Sequence, residues 1–342
     1  MNTPQTLADG STTAPVEPPN PPTTPSASGG RSAGALLSRY GTILGLVLLI
    51  VFFSIMTDTF LSVTNLQNML QSIAVLGILA AGLTVVLVLT DFDLSIGYVA
   101  TAAGMLAAGT AQTFGVAGAW LAVIALGVAV GAANGLVVTK LNVSAFIATL
   151  AVGQIVQGWL LYYRDGTQIS YGLPSDFSTI GQGGIGPISF LVLMWIAVLV
   201  VIYVLLERTT LGRRMYASGG NQVAARLSGI RVDRVRIAAF IVCSVTCAIA
   251  GMLLASNLNA GNTTAGIGYL LPAFAACFIG AATLREGQFH IVGTAVGVLI
   301  LGVLSNGLVL LGVSPAWTTA SQGIVLIVAV ATSGLFRKLL AR

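Results

Sequence analysis

Residues 67–90 read QNMLQSIAVLGILAAGLTVVLVLT, an apolar run with no Asp, Glu, Lys or Arg. A helix of about 20 such residues crosses the hydrocarbon core of a bilayer. The run does not alternate polar and apolar residues, so it is no strand of a membrane β-barrel. The same material recurs along the chain. Of 342 residues, 56% are hydrophobic and 7% are charged, with a mean hydropathy of +0.94. Soluble globular proteins carry about 25% charged residues, so a single soluble domain is excluded. The net charge of +5 does not make a nucleic-acid-binding module, because a lipid-facing composition presents no basic face to a duplex. Three cysteines are too few for a disulfide scaffold. The expected class is an all-α polytopic membrane protein.

Working outward from residues 67–90, we count about ten candidate spans. They lie at 40–57, 67–90, 95–114, 117–138, 143–163, 187–206, 236–256, 269–284, 290–312 and 316–336. Lys and Arg collect in cytoplasmic loops. With both termini in the cytoplasm, ten spans place every one of the 15 basic residues inside except Arg164. Long polar connections at 164–186 and 257–268 then face outward, as solvated loops or as contacts for an external partner. Residues 1–35 are rich in Pro, Thr, Ser and Gly and are expected to be a disordered tail ahead of a membrane domain at 36–342. The tail has neither the basic start nor the apolar stretch of a secretory signal, and none is expected.

Short stretches recur about 170 residues apart. Ser95-Ile96-Gly97-Tyr98 matches Gly266-Ile267-Gly268-Tyr269, Asn134-Gly135-Leu136-Val137 matches Asn306-Gly307-Leu308-Val309, and Gly82 matches Gly251. Five spans separate the copies, and five is odd, so the repeat is expected to be inverted in the membrane. Inverted repeats are typical of transporters; coincidence within a biased composition is the competing explanation.

No catalytic constellation is visible. The single histidine, His290, falls at a span boundary and is expected to be interfacial. Cys243, Cys247 and Cys277 read as small core residues, since metal sites want three or four ligands with a polar second shell. No phosphate-binding loop of the Gly-Lys-Ser/Thr type occurs. Polar residues near the spans concentrate in Asp91-Phe92-Asp93-Leu94-Ser95. Two readings stay open: Asp93 or Ser95 caps the following helix, or the stretch lines a cavity at a broken helix. Gly127, Gly131 and Gly135, spaced by four, form a face for close helix packing.

Residues 207–236 carry seven of the 15 basic side chains. Within them, Asn221 is a fitting N-cap and Gly229 a fitting C-terminal glycine for a helix of about two turns. Val223, Ala224 and Leu227 would form an apolar stripe on it. Such a short helix is unstable alone and is expected to dock, in a groove of a cytoplasmic partner or on anionic lipid.

Here the chain resembles a known family. Residues 208–213, RTTLGR, and 219–230, GGNQVAARLSGI, resemble the cytoplasmic loop of bacterial ABC importer permeases for monosaccharides, the ribose/xylose/galactose group. Asp93-Leu94-Ser95-Ile96-Gly97, Asn134-Gly135 followed by Phe146-Ile147-Ala148-Thr149-Leu150, and Gly293-Thr294 followed by Asn306-Gly307 resemble it too. The resemblance covers roughly residues 60–336. The family's glycine-rich stretch after the eighth span departs here to Gly280-Ala281-Ala282-Thr283-Leu284-Arg285-Glu286-Gly287.

The resemblance implies a permease subunit in the bacterial inner membrane with no catalytic residue, metal or cofactor of its own. Its implied partners are an ABC ATPase that binds ATP and Mg, an extracytoplasmic sugar-binding protein, a second permease chain (itself or a paralogue) and membrane lipid. It implies an ATPase-coupling loop at 207–235 using Arg213, Gly220, Asn221, Ala224, Ala225, Ser228 and Gly229. The expected lining of the sugar pathway is Asp93, Ser95, Asn134, Thr149 and Asn306, with Phe146 as an apolar wall. An ion-coupled secondary transporter is the alternative.

Overall fold

The computed structural model describes residues 33–282, 285 and 287–340, with side chains described between 40 and 328. Of the expected tail, residues 1–32 lie outside the described residues and 33–35 already belong to a helix. In chain order the elements are α1 (Ala33–Met56), α2 (Val63–Leu87), α3 (Ile96–Lys140), α4 (Ala145–Tyr163) and α5 (Phe177–Gln182). A two-residue hairpin follows, β1 (Gly184–Ile185) with β2 (Ile188–Ser189), and then α6 (Phe190–Arg208), α7 (Thr210–Gly220) and α8 (Gln222–Leu227). The chain continues through α9 (Val232–Leu258), a 3-10 turn at Ile267–Tyr269, α10 (Leu270–Ala281), α11 (Ile291–Leu310) and α12 (Pro315–Leu340). Among the described residues six of these, α2, α3, α4, α6, α9 and α11, are long and apolar enough to cross a membrane. The protein is an all-α, multi-pass membrane protein.

α2 and α9 form the centre. Every residue of α2 from Ile73 to Leu87 is buried, whichever side of the helix it faces. A helix that is apolar all round belongs inside a bundle, and the quoted stretch 67–90 is that helix. α9 carries the adjoining half of the core, with Phe240, Cys243, Cys247 and Met252 fully buried. Arg236 lies near the start of α9 and Lys140 at the end of α3. We call this the basic end of the bundle.

Along α3 the contacts with α9 first climb and then descend. Gly104 lies against Gly251, whereas Gly127 meets Val245, Gly131 meets Ile241 and Gly135 meets Ile237. The chain therefore reverses within α3, and the reversal falls at Gly115, whose φ of 68° is open to glycine without the cost that a Cβ brings. The expected stretches at 95–114 and 117–138 are the two halves of this element, joined by a far tighter turn than a loop. The glycine face at 127, 131 and 135 packs directly on the backbone of α9, the close approach that small residues permit.

Two helices begin inside the bundle rather than at its surface. A Cβ on Gly97 would stand 3.0 Å from the Gly266 carbonyl oxygen, and one on Gly266 would stand 2.7 Å from that of Gly97. Gly97 lies one turn before Ala100, which rests on Gly251, so the meeting point is about half-way along α9. The first half of α3 rises from there toward the far end, and α10 descends from there toward the basic end. Residues 259–266 must dip back into the bundle to reach it. The stretch expected to span at 269–284 is thus only the 3-10 turn and a 12-residue α10. At 1.5 Å per residue this helix is about 18 Å long, too short to cross the hydrocarbon core. Residues 283, 284 and 286 lie outside the described residues.

Replacing Gly266 with Val should force the two helix starts apart at the cost of overpacking, about 1–3 kcal/mol. A thermal melt of the detergent-purified protein should show the loss, and an unchanged melt would place the meeting point elsewhere.

Candidate functional site

The basic end carries two constructions, a projecting helical hairpin and a buried polar brace. The hairpin begins where Thr209 ends α6 and caps α7, its hydroxyl accepting from the Gly212 N–H at 3.1 Å. α7 occupies part of what the sequence suggests is a loop. Its Leu211 and Met215 are one turn apart, and Met215 is fully buried. Ser218 turns inward as well, and Gly219 presses on the carbonyl of Val88 so closely that any side chain there would collide.

α8 is built as its sequence suggests. The Asn221 side-chain oxygen accepts from the N–H groups of Val223 and Ala224, both at 3.0 Å. Gly229 closes the far end with φ 82°. Ser228 donates its hydroxyl to the Ala224 carbonyl at 2.9 Å. Ala225 is the one buried residue of α8, turned toward the protein. Val223 and Leu227 face outward at 68% and 85% exposure, with Ala224 also exposed between them. Gly220 has open space around it. The exposed Arg226–Asp233 pair at 3.1 Å contributes little by itself.

Arg213 borders a cleft of about 510 Å³ between α7 and the α10–α11 connection. There Arg285 grips Glu207 with two bonds of 2.7 and 2.8 Å, and Tyr216 donates to the same carboxylate at 3.2 Å. Burial and the neighbouring Glu207 charge push the Tyr216 hydroxyl above its ordinary pKa, so it stays a donor at any physiological pH. This triad ties the hairpin to the α10–α11 connection, and sequence reading misses it because its members lie far apart in the chain.

The brace fills the stretch 91–95. Arg236 holds Asp91 through two bonds of 2.7 Å, the geometry of a forked guanidinium–carboxylate pair. Asp93 turns inward. Its Oδ1 accepts from the Ser95 N–H at 2.9 Å and from the Ser95 hydroxyl at 2.5 Å, and Asn134 donates to that hydroxyl oxygen at 2.9 Å. Thr149 accepts from the Leu94 N–H at 2.9 Å. Asp93, Ser95, Asn134 and Thr149 are all fully buried. Of the six residues expected along a pathway, the structure brings these four together in a buried knot, in which Asp93 Oδ2 and Asn134 Oδ1 have no hydrogen-bond partner among the described residues. The capping bond of the first reading of 91–95 is present, with Asp93 rather than Ser95 holding the free N–H. Phe146 faces outward from α4 at 51% exposure. Asn306 sits near the opposite end, in a reciprocal amide pair with Asn65 at 2.9 and 3.0 Å.

His290 is a buried N-cap rather than an interfacial side chain, its Nδ1 accepting from the Gly293 N–H at 2.7 Å. The three cysteines are buried free thiols.

The geometry is that of a multi-pass helical bundle with a capped, outward-presenting hairpin at its basic end. A family described as "Branched-chain amino acid transport system / permease component" matches residues 65–330. The ribose import permease protein RbsC of Escherichia coli (strain K12) is 37% identical over 300 residues, covering 86% of this chain and 94% of the relative. RbsC of Bacillus subtilis (strain 168) is 38% identical over 305 residues, covering 86% and 92%. The L-arabinose transport system permease protein AraH of Escherichia coli (strain K12) is 33% identical over 307 residues, covering 87% and 91%. Comparison with solved structures finds no match. The chain belongs to the permease family of ABC monosaccharide importers.

Replacing Arg236 with Ala strands Asp91 in a setting only 9% exposed, and breaking such a pair costs about 3–5 kcal/mol. Arg236→Ala should unfold at markedly lower denaturant, and Asp91→Asn with Arg236→Gln should recover most of the loss. Equal stability of the single variant and the wild type would show that the pair is dispensable.

Proposed function

We propose that this chain is the membrane subunit of an ATP-driven importer that carries a monosaccharide or a related polyol across the bacterial inner membrane. The observation that carries the proposal is α8. A helix of six residues is held by caps at both ends and yet points Val223, Ala224 and Leu227 away from the protein. So short a helix with an apolar outer face is completed by a partner, and in this family that partner is an ATPase.

In this proposal both termini and the basic end face the cytoplasm, in keeping with the distribution of Lys and Arg. The helices are threaded as ten passes, counting the halves of α3 separately and α10 as a partial pass. The two halves of the protein form an inverted repeat. A pairing at swapped positions supports it: Gly131 rests on Ile241, and Gly302 rests on Ile73. The chain works with two ATPase domains that hold ATP and Mg, with an extracytoplasmic sugar-binding protein, and with a second permease chain. It forms and breaks no covalent bond itself. Closure of the ATPase dimer pushes on α7 and α8. Arg213, Gly220, Asn221, Ala225, Ser228 and Gly229 shape that hairpin, while Ala224 meets the partner. Gly219 against Val88 and the Glu207–Arg285–Tyr216 triad carry the displacement into α2 and the α10–α11 connection. The knot of Asp93, Ser95, Asn134 and Thr149 then serves as the cytoplasmic closure of the pathway.

Leu227→Glu should reduce ATP-dependent sugar uptake more than tenfold and abolish co-purification of the ATPase, while membrane insertion stays normal. Normal uptake with a normally bound ATPase would remove α8 from the interface. Uptake driven by an ion gradient without any ATPase would identify a secondary transporter.

A further inference from the structure

At the end of the bundle opposite the basic hairpin, a cavity of about 610 Å³ opens between α2, the turn before α10, α11 and α12. Its polar lining is Asn68 and Ser72 from α2, Tyr269 from the turn, Ser305 and Asn306 from α11 and Gln322 from α12. The remaining walls are aliphatic, and no Asp, Glu, Lys, Arg or His lines the cavity among the described residues. Small-molecule sites occupy about 300–1,000 Å³ and combine apolar walls with a few placed polar groups.

The lining selects by chemistry. Neutral amides and hydroxyls in an apolar cleft offer nothing to balance an ion, whose desolvation would go unrepaid. A polyol loses less on leaving water and recovers it hydroxyl by hydroxyl, since each of its OH groups donates and accepts. Gln322 donates one N–H to the Ser305 hydroxyl at 2.9 Å, which leaves its carbonyl oxygen and second N–H available. The Asn68 amide and the Tyr269 hydroxyl make no hydrogen bond among the described residues, so both can turn to a ligand. The Tyr269 ring supplies a flat apolar face for the C–H side of a sugar ring.

The cavity wall at Gly268 and Tyr269 adjoins the place where Gly266 meets Gly97, half-way through the bundle. On the basic side of that point Ser95 and Asn134 are fully buried. Asn134 and Asn306 are the repeated Asn-Gly asparagines, and Tyr98 and Tyr269 the repeated tyrosines. One copy of each borders open space while Asn134 is sealed.

We propose that this cavity is a transient binding site for a neutral, monosaccharide-sized polyol entering from the end opposite the basic hairpin, with Ser305, Gln322, Asn68 and Tyr269 as its contacts. The proposal rests on the permease reading and assigns it a site.

Because the three native cysteines are buried, a thiol introduced at the cavity can be labelled selectively. Ser305→Cys in the assembled transporter, reconstituted in liposomes, is treated from outside with a small charged methanethiosulfonate. Ribose, L-arabinose or galactose is present at millimolar concentration, alongside a sugar-free sample. Trp317→Cys, 70% exposed and outside the cavity, is the control. We expect the transported sugar to slow labelling at position 305 at least threefold and to leave position 317 unaffected. Gln322→Leu added to Ser305→Cys should remove that protection, and Gln322→Leu alone should lower uptake several-fold. If the wild type moves one of these sugars but position 305 is unprotected and Gln322→Leu transports normally, the site is wrong and the permease reading stands. If no sugar is moved and none protects, both fall.

Discussion

Two helices that start inside an apolar bundle leave free N–H groups away from the bundle's surface, and much of the structure follows from how those groups find partners. At the first half of α3 the answer is a carboxylate: Asp93 takes the Ser95 N–H and hydroxyl, Asn134 supports the hydroxyl, and Thr149 takes the Leu94 N–H. At the other start, Thr101 accepts from the Gly266 N–H at 3.0 Å. Each interrupted helix is thus completed by a residue of another element. That dependence holds α3, α4 and the 259–269 connection in fixed relation, and it explains why polar side chains cluster in so apolar a chain.

The second constraint is distance. α9 receives both halves of α3 on glycine and alanine, and the approach is so close that backbone meets backbone. Packing of this kind is short-range and leaves no slack, so a displacement of α9 moves α3 with it. The Asp91–Arg236 pair ties α9 to the α2–α3 connection at the basic end. The hairpin of α7 and α8 is seated firmly on the bundle, because Gly219 touches the end of α2 and Arg285 holds Glu207.

Much of this is legible in the sequence, and the part that is not has a physical reason. The spans stand out because lipid-compatible composition is unmistakable, and α8 stands out because Asn221 and Gly229 are cap residues at the right separation. α7 is hidden because Gly212, Gly219 and Gly220 lower helix propensity, and only tertiary burial of Met215 against the bundle overrides it. The short α10 is hidden because hydropathy reports what is apolar and not how deep a helix begins. His290 looks interfacial by position, yet its ring serves the backbone. The polar stretch 91–95 is visible in the sequence, but its partners Asn134 and Thr149 are distant in the chain and only the third dimension brings them together.

The turn at Gly115 has no charged residue near it to hold it at a membrane surface. From Ile96 to Thr139 the chain contains no Asp, Glu, Lys or Arg. A segment without charges gives the insertion machinery no cue for where its tip belongs, since loops are retained or translocated largely by their basic residues. Both halves of α3 pack on α9, and what fixes the depth of their turn is the seating of Gly104, Gly127, Gly131 and Gly135 on that helix rather than any charge at the tip.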